Sequence, residues 1–263
     1  MNRLQFRARK EKVMKTTKGR PPIAGNRMAL AGAVLYLLEW VAIFGSGLVG
    51  VEMIGGEIGA SPQEVVATYA GSENGMALIA GWMCLVLTGR VLLLVGLRAG
   101  LRDSGRDHPL MGFAVSIMTI SVALEIAITA IYAGAATLAA DSSEQAVLAL
   151  DRAGTALYPM VYGSAGLSVL CAAWCLSRSG LFPVALNVLG FIGGAGMVLI
   201  PFFAAPAFNA VLIVLGFIPL FVWVWMIWAG ILFWRNAPSR AVEPVDAVNM
   251  SGGRRNRSKP PLL

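Results

Sequence analysis

The chain has 263 residues, of which 57% are hydrophobic and only 13% charged, with a formal net charge of +7. Soluble domains carry about 25% charged residues, so a mean hydropathy of +0.71 built from long apolar runs excludes a water-soluble enzyme, a disordered chain and a disulfide-rich secreted module. What remains is an all-α, polytopic integral membrane bundle, and the sequence by itself names no biochemical activity.

A membrane helix needs about 20 mostly apolar residues to cross about 30 Å of hydrocarbon. The basic segment 1–27 comes first and reads as a disordered cytoplasmic tail. Six spans then follow over 28–235, at about 28–50, 76–98, 110–134, 155–177, 183–204 and 208–234. The segment 236–263, with Pro238, Pro244, Gly252, Gly253, Pro260 and Pro261, reads as a second basic tail without fixed structure. Helices are the expected spanning form, because no stretch alternates in and out as a membrane strand would.

Charge sets the expected orientation. Nine Lys or Arg residues precede the first span, and six follow the last, from Arg235 to Lys259. The 51–75 loop has none and holds Glu52, Glu57, Glu64 and Glu73, whereas Arg98, Arg102 and Arg106 border the next loop and Arg178 the one after span four. Six spans place 19 of the 21 basic residues on one side, with Arg90 and Arg152 the exceptions, which predicts that both termini are cytoplasmic. The positive charge therefore points to anionic lipid of the inner leaflet, not to nucleic acid. The first apolar run is too long for a signal peptide and lacks a small-residue cleavage site.

The two longer outer loops each carry a helix signal. Ser61-Pro62-Gln63-Glu64 has the capping pattern, with an apolar face at Val65, Val66 and Tyr69. Asp141-Ser142-Ser143-Glu144 before Ala146, Val147 and Leu150 reads similarly, and both segments are expected to lie on the outer membrane surface as connectors.

Several chemistries lack their residues. His108 is the only histidine and falls in a cytoplasmic loop, so bis-histidine haem, an HExxH metalloprotease and a serine–histidine intramembrane protease are excluded. No Walker lysine motif exists and no lysine lies in a span. Cys84, Cys171 and Cys175 read as small apolar fillers. No metal or cofactor site is expected.

Three ionisable residues are left in the hydrocarbon: Glu39, Arg90 and Glu125. Each costs about 3 kcal/mol there on insertion scales and needs a partner or a water-filled cavity. At 1.5 Å per residue they lie roughly 16, 12 and 22 Å from the cytoplasmic face, so Arg90 is within reach of Glu39 across spans one and two. Glu125 sits higher, with Ser46, Thr129 or Tyr36 as alternative partners. A structural ion pair, snorkelling of Arg90, and a proton, ion or substrate role all remain open. In span five, Gly190, Gly193 and Gly194 predict close helix contact, and Pro219 predicts a kink in span six. Trp234 beside Arg235 fits an inner-interface anchor.

Two stretches resemble an uncharacterised bacterial multi-span membrane family, domain of unknown function 4386. Ala31-Gly32-Ala33-Val34-Leu35-Tyr36-Leu37-Leu38 is similar to its opening Gly-x-x-Tyr-Leu pattern. Ser177-Arg178-Ser179-Gly180-Leu181-Phe182-Pro183, followed by Leu189-Gly190 and Gly193-Gly194, resembles its Arg-Ser-Gly-apolar-apolar-Pro turn. Val184 departs from the basic residue that often follows that proline. The resemblance implies a six-span fold over about 25–235 in a bacterial inner membrane and no activity. Three function classes follow: a small transporter or ion- or proton-coupled carrier using Glu39, Arg90 and Glu125; a non-catalytic accessory or regulatory component that binds a membrane partner or a second copy; and, last, a lipid-modifying enzyme.

Overall fold

The computed structural model describes residues 23–49, 51, 61–141 and 143–235. The expected tails and most of the 51–60 loop lie outside the described residues. All regular structure among the described residues is helical: α1 (Ile23–Gly45), α2 (Pro62–Tyr69), α3 (Glu73–Val86), α4 (Thr88–Asp103), α5 (Pro109–Ala140), α6 (Glu144–Ser179), α7 (Val184–Leu199), α8 (Asn209–Leu215) and α9 (Ile218–Arg235), with short 3-10 turns after α1 and α7 and before α8. Six segments are long and apolar enough to cross a membrane, and each overlaps one of the six expected spans, the third and fourth running beyond the expected bounds. The polarity is that of a protein dissolved in lipid. Leu48, Phe44, Phe202 and Val184 are among the exposed large apolar side chains, whereas Glu39, Arg90 and Glu125 are buried.

Two spans are each built from two helices. Span two breaks at Leu87, where the Arg90 N–H donates to the Leu87 carbonyl three residues back, a tight 3-10-type bond. Span six breaks at Gly216-Phe217, and Pro219 stands in the first turn of α9, where its missing N–H removes no helical bond. The expected kink is thus a break placed just before the proline.

The spans pack mainly as neighbours: α5 on α6, α1 on α4, α6 on α7, and α9 against both α1 and α7. Glycines let the α1–α4 backbones touch. A Cβ on Gly89 would stand 2.8 Å from the Gly32 carbonyl oxygen and 2.9 Å from the Tyr36 nitrogen, and one on Gly32 would stand 2.6 Å from the Gly89 oxygen. Gly25 and Gly96 repeat that contact two turns away. In α7 the glycines serve two neighbours. Gly194 lies against Gly166 and Leu170 of α6, while Gly193 faces Val222 of α9 and Gly190 faces both Ala173 and Trp225. Two serines tie α5 to α6 through opposite carbonyls, Ser121 to Val161 at 2.9 Å and Ser168 to Ala114 at 2.6 Å.

The outer segments differ from the expectation in one respect. Glu144 does not begin a separate surface helix; it begins α6 itself, whose 36 residues would reach about 54 Å. The α5–α6 hairpin is therefore longer than the hydrocarbon, and α2 docks on it rather than lying alone on the surface. The capping box of α2 is formed, with the Ser61 N–H donating to Glu64 at 2.6 Å. The Ser61 backbone N–H, and after it the Ser61 side chain, hold the Glu64 carboxyl below its ordinary range. At the opposite end of the bundle, His108 caps α5 by accepting from the Leu110 N–H at 3.1 Å. The turn at 177–183 has Gly180 at φ +65°, a left-handed helix terminus that a side chain would strain. There Arg106 donates to the Ser179 carbonyl, and Phe182 stacks on Phe233.

Candidate functional site

The α1–α4 contact determines what faces what. Residues 32, 36 and 39 recur on one side of α1, and 89, 90 and 93 on the facing side of α4, so close backbone approach at Gly32 and Gly89 carries Glu39 toward Arg90. Arg90 Nη2 donates to Glu39 Oε1 at 2.5 Å and Nε donates to Oε2 at 3.2 Å. Glu125 arrives from α5, accepting from Nη1 at 2.6 Å and from Nη2 at 3.2 Å. One guanidinium thus grips two carboxylates, and four of its five N–H groups are used. Its carbon lies 5.0 Å from the centroid of the Tyr36 ring, within cation–π range.

All three residues singled out from the sequence meet here. Glu125, however, is bonded to Arg90 and not to the alternative partners: Ser46 donates to the Ile43 carbonyl and Thr129 to that of Ile126, each three residues back, and Tyr36 lies against Arg90. An Arg side chain spans the height difference that the rise per residue assigns to the two glutamates. The glycine cluster is a separate matter. Gly190, Gly193 and Gly194 pack helices and do not line this site.

The cluster forms part of the wall of a cavity of about 450 Å³. Six aromatic residues share that wall: Tyr36, Trp40, Tyr132, Tyr158, Tyr162 and Trp223. Met83, Met118, Met197 and Met226 supply much of the rest. Both broken spans reach it, span two through Arg90 and span six through Gly216, Pro219 and Leu220. Pro159 interrupts α6 at the same level and deprives the Thr155 carbonyl of its usual donor. The cavity-lining residues include no histidine, cysteine or lysine. Among the described residues no group of three or more His, Cys, Asp or Glu could hold a metal ion.

The tyrosines extend the site toward α2. Tyr158 stacks on Tyr162 with ring centroids 6.1 Å apart and on Tyr132 at 6.2 Å, and Tyr132 is 6.2 Å from Tyr69. Tyr69 is buried and donates to Asp151 Oδ1 at 2.7 Å. Burial and that carboxylate hold the Tyr69 hydroxyl well above the ordinary phenol range. Four of the five tyrosines of the chain therefore form one run leading from Asp151 to the cavity, and the fifth, Tyr36, lies against Arg90 on the wall of that cavity.

Reasoning from the sequence missed this track, and its span bounds left Asp151 in the connection between spans three and four. The signal was present as spacing: Thr155, Tyr158 and Tyr162 share one helix face, as do Glu125 and Tyr132 at seven residues. Comparison with protein-family models, curated proteins and solved structures returns no match for the chain.

Proposed function

We propose that this chain is a small carrier of a bacterial inner membrane, with the cavity as its solute site and the Glu39–Arg90–Glu125 cluster as the element that couples solute to protons or ions. The observation that carries the reading is a pair of buried carboxylates sharing one arginine on the wall of a solute-sized cavity. Such a group is costly in hydrocarbon, and a packed six-helix fold has no need of it for cohesion. Broken helices beside a mid-bundle cavity are the usual construction of carriers, because they give a rigid bundle places to bend. A cavity without a nucleophile–base pair supports a carrier over a lipid-modifying enzyme. The family resemblance at 31–38 and 177–183 is part of this proposal and adds the six-span expectation alone.

Two-sided access separates a carrier from an accessory protein, and it can be measured without knowing the solute. On a background with Cys84, Cys171 and Cys175 replaced by serine, Ala165→Cys on α6 and Leu220→Cys on α9 both line the cavity. Both are expected to react with a small charged thiol reagent added from either face of the membrane. Reaction from one face only, or from neither, would return the chain to the class of membrane accessory components.

A further inference from the structure

Resting on the carrier reading, we propose that the cavity exchanges one proton for one monovalent organic cation, an ammonium-type ligand with an apolar body. Charge comes first. Arg90 contributes one positive charge, and Glu39 and Glu125 contribute two negative charges when both are ionised. The fully ionised cluster is net negative by one in a buried wall, which is unfavourable in low dielectric. Two states relieve it. Either one carboxylate carries a proton, or a cation stands in the cavity beside both carboxylates. In the exchange the O–H bond of the carboxylic acid breaks and its proton leaves to water as the cation enters. No covalent bond to the ligand forms, and the protonated wall before the exchange and the wall with its bound cation after it are both neutral.

The other titratable groups at the cavity do not offer a competing charge. Tyr36 on α1, Tyr132 on α5, and Tyr158 and Tyr162 on α6 are neutral phenols at working pH. The parts of α3, α7 and α9 that reach the cavity, with Gly216 between α8 and α9, present only Met83, Met197, Trp223, Met226, Leu220 and other apolar positions. Asp151 is further along the tyrosine track and is already bonded by Tyr69.

The lining then selects the kind of cation. A small inorganic ion would need about six oxygen ligands, whereas the two carboxylates offer four oxygens, each already accepting one bond from Arg90. Tyr36, Trp40, Tyr158, Tyr162 and Trp223 instead present ring faces and edges, the surface that attracts a weakly hydrated ammonium. Methionines from four different helices give the apolar body an adaptable bed.

The test uses the full chain in lipid nanodiscs and isothermal titration with benzyltrimethylammonium, whose charge cannot be lost, against its neutral carbon isostere neopentylbenzene. Titrations in buffers of different ionisation enthalpy count the protons released. The expected result is saturable binding at one site, about tenfold or more tighter for the cation than for the isostere, strengthening as pH rises, with close to one proton released per cation. Equimolar sodium should not displace the probe. Glu39→Gln and Glu125→Gln each make the cluster neutral without a proton, so each should weaken cation binding about tenfold or more and abolish proton release. Tyr162→Leu should weaken binding and leave proton release intact. Equal affinity for the isostere, displacement by sodium, or pH-independent binding by the wild-type chain would overturn the proposal. The wild-type pH series decides the matter even if a glutamine variant fails to fold. The binding assay does not depend on two-sided access, so a failed cation site and a failed carrier give different results.

Discussion

Arg90 holds two carboxylates with one guanidinium, and that stoichiometry decides what its removal does. Arg90→Leu strands both glutamates in a buried wall, and breaking a buried pair from one side costs about 3–5 kcal/mol. Arg90→Leu with Glu39→Leu still leaves Glu125 without a cation, so pairwise removal should restore only part of the folded yield. The triple variant with Glu125→Leu removes every charge and should approach wild-type yield by fluorescence-detected size exclusion in detergent. Full recovery by the double variant would show that Glu125 is not bound into the cluster. The three ionisable residues are legible in the sequence, because a charge in an apolar run stands out by cost alone. Their two-to-one pairing is not, since it depends on which side of α5 meets α4. The tyrosines are harder still to read. A tyrosine in an apolar span has no insertion cost comparable to that of a carboxylate, and only the shared helix faces, of residues 155, 158 and 162 and of residues 125 and 132, hint at them.

Helix approach sets the geometry in which those residues meet. The α1–α4 contact uses glycine at 25 and 32 against glycine at 89 and 96, a seven-residue repeat on each helix. An added methyl at Gly32 or Gly89 meets backbone atoms of the opposite helix, which cannot yield as a flexible side chain can. Gly32→Ala and Gly89→Ala are each expected to destabilise the bundle by about 1–3 kcal/mol and to move Glu39 away from Arg90. Gly81→Ala is the control. Nothing lies within 4 Å of its would-be Cβ, and alanine there should be neutral or stabilise by about 0.5–1 kcal/mol. Thermal unfolding of the three variants in one detergent distinguishes contact from propensity, and equal effects at Gly32 and Gly81 would contradict the close packing. The glycines of span five are visible in the sequence as a small-residue cluster. That one helix turns Gly194 to α6 and Gly193 to α9 follows from the arrangement of three helices, which no single span encodes.

At the scale of the whole molecule, the count of spans and the charge of the loops give the chain a direction in the membrane. Six crossings would put both ends of the chain on one side, and the positive-inside rule predicts that side to be the cytoplasm. The structure adds which positions are useful reporters. Glu144 starts α6 at the end of a hairpin longer than the hydrocarbon, and Gly71 lies in the turn between α2 and α3 on the same end of the chain path. Arg106 lies in the turn between α4 and α5, one crossing away. On the Cys-free background, Gly71→Cys and Glu144→Cys should therefore react with a membrane-impermeant maleimide applied to intact cells. Arg106→Cys should react only after the membrane is opened. Reversal of the whole pattern would mean that the arginine-bearing loops face outward and that the orientation is inverted. Reaction of Glu144→Cys and Arg106→Cys from the same face would be more damaging, because α5 alone connects them and its 32 residues would then fail to cross. In that case the buried Glu125, which lies midway along α5, would no longer sit at membrane depth, and the carrier reading would lose the desolvation that makes its charge cluster worth keeping.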